Sequence, residues 1–82
     1  MIAPNPFGTF TRIEYALVSD EHVVIDVYDL QGRMVLQLVN GNRSKGRRME
    51  QLNADALQPG TYIVRLIAGA GSTLKKVVVT GM

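Results

Sequence analysis

The chain has 82 residues, no cysteine and no tryptophan, and nine lysines and arginines against seven aspartates and glutamates, a net charge of +2. That length fits one small domain, whose core withdraws about 60–65% of the unfolded surface from water. Disulfides, Cys-ligated zinc and thiol chemistry are excluded, no apolar run approaches the ~20 residues of a membrane helix, and so balanced a charge points to no class of partner.

An apolar fraction of 46% with 20% charged residues is ordinary for a globular protein and argues against disorder. Met1-Ile2-Ala3-Pro4 has neither the charged nor the apolar region of a signal peptide, so Met1 reads as a start codon placed before an excised domain. Ala3 to Gly8 reads as an opening corner and cannot be a central strand. Its two prolines remove ladder donors and push the residue before each toward extended geometry, and Phe7 is expected over the core edge.

From Phe10 to Leu17 the chain alternates. Thr11, Ile13, Tyr15 and Leu17 share one face while Arg12 and Glu14 take the other, as in a strand with one wet side. Ser19-Asp20-Glu21-His22 is a polar reversal. The stretch Val23 to Arg33 is central. Val23, Ile25 and Val27 fall on one face and Asp26 and Tyr28 on the other, the two-residue period of a half-buried strand. Asp29-Leu30-Gln31-Gly32 then turns the chain, with Asp29 bonding the backbone ahead and Gly32 taking a positive φ. A second strand, Met34 to Val39, completes a hairpin that requires a sheet around it.

Asn40 to Arg48 reads as a polar, flexible hairpin loop, and Met49 to Leu52 as a short strand. Asn53 to Gly60 is too short for a helix and stops at Pro59-Gly60, so one helical turn is expected, with Leu57 plugging the core. Thr61 to Ala68 points Tyr62, Val64, Leu66 and Ala68 inward and Arg65 outward. Gly69 to Ser72 turns the chain, and Thr73 to Thr80 is the last strand, its Val77-Val78-Val79 run showing no clear face. Turn signals every 8–12 residues without a credible helix predict an all-β fold, a small immunoglobulin-like antiparallel β-sandwich of six or seven strands.

No catalytic constellation is visible. His22 is the lone histidine, beside Asp20 and Glu21 in a turn, and with no cysteine it has no nucleophile motif to serve. A metal would want a second nitrogen or a cage of oxygens. Asp26 and Asp29 are three apart, so an extended chain sends them to opposite faces and they form no carboxylate pair. The basic run Arg43 to Arg48 has a sharp reading, contact with phosphates or anionic headgroups, and a bland one, a solvated hairpin that discourages edge pairing. No aromatic residue interleaves it for base stacking, which favours the second. Gly69-Ala70-Gly71 has no helix after it and is a hairpin, not a phosphate cradle. Neither a cofactor, a metal nor a nucleic-acid partner is expected.

Four blocks stand in order along the chain: Pro4-Asn5-Pro6-Phe7; Val23 through Tyr28-Asp29 and Gly32-Arg33; Leu57-Gln58-Pro59-Gly60-Thr61-Tyr62; and Lys75-Lys76-Val77-Val78-Val79. Together they resemble the type A C-terminal sorting domain of type IX secretion system substrates over essentially the whole chain. The family pattern runs P-N-P, I-Y-D-x-x-G-[KR], L-x-x-G-x-Y, then K-K and hydrophobics. The basic run departs from it, since members often have a shorter turn there.

The resemblance implies a non-catalytic signal spanning residues 1–82 as a single domain at the C-terminus of a larger exported protein. Cargo in the periplasm would be recognised by the type IX translocon and carried across the outer membrane. A surface sortase would then cut upstream of Pro4 and join the cargo to anionic lipopolysaccharide. Pro4, Asn5 and Pro6 mark the domain start, Gly32 and Gly60 match turn glycines, and Tyr28, Asp29, Leu57 and Tyr62 match other motif positions. Lys75, Lys76, Val77, Val78 and Val79 match the segment tied to export, and the edge they form is the expected translocon contact. The alternatives are an immunoglobulin-like adhesion or docking module kept on the cell surface, which the scarcity of exposed aromatics disfavours as a glycan platform, and a salt-sensitive nucleic-acid binder using Arg43 to Arg48. A weak homodimer is a further expectation.

Overall fold

A computed structural model describes residues 1–80. The elements in chain order are β1 (Ile2–Ala3), β2 (Phe10–Leu17), β3 (Glu21–Tyr28), β4 (Met34–Arg43), β5 (Gly46–Asn53), one 3-10 turn (Ala54–Ala56), β6 (Gly60–Ala68) and β7 (Gly71–Val79). They form two antiparallel sheets, one ordered β1-β2-β5 and the other β4-β3-β6-β7. The predicted all-β sandwich is the observed architecture.

Alternation builds the core. Thr11, Ile13 and Leu17 of β2 face Val23, Ile25 and Val27 of β3, all buried, with the three β3 residues fully so. Tyr62 and Val64 of β6 and Val77 and Val79 of β7 extend the same layer, and Phe7 closes it from the opening corner. Each such aliphatic side chain withdrawn from water contributes about 1.5–3 kcal/mol before ordering costs, which is why the inward rows set the register. The Val77-Val78-Val79 run thereby acquires a face. Val77 and Val79 are buried and Val78 is half-buried on the outer side. Leu57 is half-buried against the core, while the deeper positions around the 3-10 turn are Leu52 and Ala54.

One expectation fails. Asn40 to Arg48 is not a hairpin loop: β4 continues to Arg43, β5 begins at Gly46, and only Ser44 and Lys45 lie between. The two strands belong to different sheets, so this turn crosses the sandwich. Polar residues stay extended here because ladder hydrogen bonds do not require apolar side chains. Glu21 pairs with Arg43 and His22 with Asn42 across β3 and β4, while Tyr15 pairs with Arg48 and Leu17 with Gly46 across β2 and β5. The crossing is tethered by the Lys45 N–H, which donates to Asp20 Oδ1 at 2.8 Å.

Candidate functional site

Each of the four sequence blocks lands in a different structural device. In the first, the Asn5 carboxamide lies against the outer edge of β7. Asn5 Nδ2 donates to the Lys76 carbonyl at 2.9 Å, and the Val78 N–H donates to Asn5 Oδ1 at 3.0 Å. The next contacts are main-chain: the Phe7 N–H donates to the Val78 carbonyl, and the Thr80 N–H to the Phe7 carbonyl, both at 2.9 Å. Pro4 and Pro6 have no N–H to offer, so the Asn5 side chain supplies the amide group that a pairing strand would have supplied. The corner therefore acts as a short extra strand along the C-terminal half of β7, and Phe7 bridges Val79 in parallel. Sequence reasoning saw a domain start and missed this contact, since nothing local reveals a partner some seventy residues away.

The second block forms a turn and a polar knot on the outer face of the four-stranded sheet. Asp29 Oδ1 accepts from the N–H groups of Gln31 and Arg33, and the Gly32 N–H donates to the Asp29 carbonyl. Gly32 has φ +87° with open space around it, so conformation and not crowding calls for glycine. Those backbone donors, with Arg33, hold the Asp29 carboxyl below its usual range. Asp26 is 2% exposed although it faces outward. Arg65 Nη2 reaches Asp26 Oδ2 at 3.0 Å, Gln37 Nε2 donates to Oδ1 at 2.9 Å, and the Tyr28 hydroxyl donates to Oδ2 at 3.2 Å. Burial alone would raise the Asp26 pKa; the bonds from Gln37, Arg65 and Tyr28 outweigh it and lower it. Tyr28 also lies under the Arg65 guanidinium, 5.1 Å from ring centre. Asp26 is thus a tie between β4, β3 and β6, which accounts for its burial without catalysis.

In the third block the Tyr62 hydroxyl donates to the Gln58 carbonyl at 2.6 Å. A tyrosine near the start of a strand bonding the backbone just upstream is the tyrosine corner of immunoglobulin-like sandwiches. Leu57, Gly60 and Tyr62 accordingly serve one corner between the sheets. His22, exposed, has its ring nitrogens facing Asn40 Oδ1 at 2.7 Å and Asn42 Oδ1 at 3.3 Å. Among the described residues no group of three histidine or acidic side chains is arranged to hold a metal ion.

The basic run is not one surface. Arg43 Nε bonds Glu50 Oε2 at 2.9 Å, and the Tyr15 hydroxyl donates to the same oxygen at 2.7 Å. Burial followed by the neighbouring Glu50 carboxylate pushes the Tyr15 hydroxyl up to about 12. Arg43 and Arg48 are half-buried, whereas Lys45 and Arg47 are exposed. Its charge is partly consumed inside the sandwich.

The fourth block, on β7, is the one with exposed and unused chemistry. Lys75 and Lys76 are exposed, and neither makes an ion pair among the described residues. Strand alternation sends them to opposite faces. Lys76 projects from the outer face, while Lys75 and Thr73 border a groove of about 210 Å³ between the sheets, walled by Ile2, Ile13 and Leu66.

The sequence matches the family described as "Secretion system C-terminal sorting domain" over residues 1–80. The chain belongs to this family, the type IX secretion C-terminal sorting domain. No curated relative matches it. Sorting domains of this family are non-catalytic targeting units that work with the type IX machinery and lead to export to the cell surface or beyond it. Among the described residues no helix is long and apolar enough to cross a membrane.

Proposed function

We propose that this sorting domain is the C-terminal unit of a larger exported protein and is read by the translocon as a folded surface centred on β7. The reading rests on the exposed lysines of β7, Lys75 and Lys76, which are poised on opposite faces of a strand whose other end is buried. The cargo reaches the periplasm first; after passage across the outer membrane, a surface sortase cuts upstream of Pro4 and joins the cargo to anionic lipopolysaccharide. The domain contributes binding and position to these steps and no bond chemistry of its own.

Truncation from Lys75 onward is a poor test, because it removes Val77 and Val79 from the core along with the lysines. The decisive variant is Lys75→Glu with Lys76→Glu, in a reporter carrying a signal peptide and this domain. Export-competent cells should deliver the wild-type fusion to the surface and keep the double variant inside, folded. Surface delivery of the double variant at the wild-type level would remove β7 as the recognised surface. Ile25→Asp, which breaks the core one strand removed from β7, should also block delivery; normal delivery would mean that the signal is a linear tail. Mass spectrometry of the released domain should place its new N-terminus upstream of Pro4, and an N-terminus within the domain would refute the cleavage step.

A further inference from the structure

Val78 and Thr80 turn their N–H groups, and Lys76 and Val78 their carbonyls, toward the opening corner and away from β6. In an antiparallel strand a residue's N–H and C=O point to the same side, and the side alternates along the chain. Ser72 and Leu74 must therefore also turn both groups outward. Among the described residues no hydrogen bond covers them, and the Lys76 N–H is likewise open. The outer edge of β7 is thus half closed: Asn5 and Phe7 occupy it from the Lys76 carbonyl onward, and about 13 Å of that edge, from the Ser72 N–H to the Lys76 N–H, has no partner among the described residues.

The opposite edge of the same sheet is built differently. Strand β4 carries register shifts against β3 at Ile25/Asp26 and at Val27/Tyr28. Such bulges bend an edge and spoil it as a template. Pairing of β6 with β7 runs unbroken from Gly60↔Val79 to Ala68↔Gly71, so the open half of β7 is regular. Leu74, 63% exposed, stands on its outer face, with Lys75 and Lys76 next in the chain.

Resting on the reading that β7 is the recognised surface, we propose that its open half is a strand-docking edge. An extended segment of the secretion machinery adds as an outer strand along Ser72 and Leu74, carrying acidic side chains toward Lys75 and Lys76, and Asn5 fixes where the pairing stops. Main-chain bonds supply the contact and the two lysines select its charge. A second copy of the chain is the wrong occupant. Antiparallel self-pairing across the open half, centred on Leu74, would set the two copies' Lys75 side chains on the diagonal of one face, and like charges that close across a ladder are unfavourable.

Proline at an outward-facing edge position deletes the docking N–H without touching the bonds to the neighbouring strand. In the reporter fusion, Leu74→Pro is expected to lower surface delivery at least tenfold, and well below the level of Leu74→Ala, which keeps the N–H. Thermal unfolding of the isolated chain checks that the proline variant is folded; should it melt early, Ser72→Pro applies the same test two residues away. Wild-type delivery by a folded proline variant overturns strand docking. If Lys75→Glu with Lys76→Glu still blocks delivery in that case, β7 remains the recognised surface through its side chains alone. If neither variant affects delivery, both readings fall. Sedimentation of the isolated chain should give a monomer, and a dimer abolished by Leu74→Pro would assign the edge to self-association and overturn the proposal.

Discussion

The two halves of β7 share one strand and one ladder to β6, yet they are opposites. From Val77 to Val79 the inward side chains are buried and the outer edge is closed by Asn5 and Phe7. From Gly71 to Lys76 every residue is exposed, and among the described residues the outer edge is bare, because Asn5 and Phe7 cover it only from the Lys76 carbonyl onward. The contrast shows how a small sandwich keeps an edge strand exposed without losing it. One half supplies the anchoring energy, so the other can carry charge and unpaired backbone.

The widest gap between the halves should appear at two inward positions of this strand. Val77→Asp places a charge without a partner in the core and should abolish the cooperative unfolding transition, since such a cost is several kcal/mol against a small domain's marginal stability. Lys75→Asp, on the same face two residues earlier, should change stability by less than about 0.5 kcal/mol. Urea denaturation of both variants checks this, and a similar loss in each would erase the distinction.

Next in size is the platform that both halves share. Asp26→Ala strands the Arg65 guanidinium and should cost about 3 kcal/mol, at the low end for a broken buried pair because Arg65 is partly solvated. The same carboxylate gives the domain an acid limit. Its folded pKa lies below the ordinary 3.8, so its contribution is complete above that value and is lost as pH falls through the lowered one. Thermal midpoints should decline below about pH 4, and Asp26→Asn should flatten part of that decline. Hydrogen-exchange protection factors, taken against the unfolded chain at the same pH, should fall together at Thr73 and Val79 in acid; protection lost in one half alone would mean that the platform is not common to both.

A smaller effect is expected from the clamp. Asn5→Ala removes two exposed hydrogen bonds and should cost about 1–2 kcal/mol, with faster exchange at the Val78 amide and little change at Leu74. Smallest of all, Leu74→Ala should leave the thermal midpoint within the error of measurement. A drop of several degrees there would show that the open half also holds the fold together.

Much of the fold was legible because burial has a period. The β2 span Phe10 to Leu17 and the inward rows of β3 and β6 follow from alternation, and Asp29 with Gly32 follows from turn chemistry. The loop expected from Asn40 to Arg48 shrinks to Ser44 and Lys45, because polarity alone suggests a loop, whereas the flanking residues are held extended by ladders on either side and by the Tyr15–Glu50–Arg43 contacts. The face of Val77 to Val79 was illegible for the opposite reason, since three valines in a row carry no alternation. Tyr62 was visible as a motif residue, but its bond to the Gln58 carbonyl is a matter of three-dimensional placement.

By itself the sequence determined the fold class, the turn residues and the family, because side-chain period and motif order are local properties written along the chain. Only the tertiary structure decided that β7 is half clamped and half open. That outcome depends on Asn5 meeting Lys76 and Val78 across nearly the whole chain, and on two adjacent lysines parting to opposite faces of one strand. Hydrogen bonds between distant segments form only when the packed core brings the two ends together.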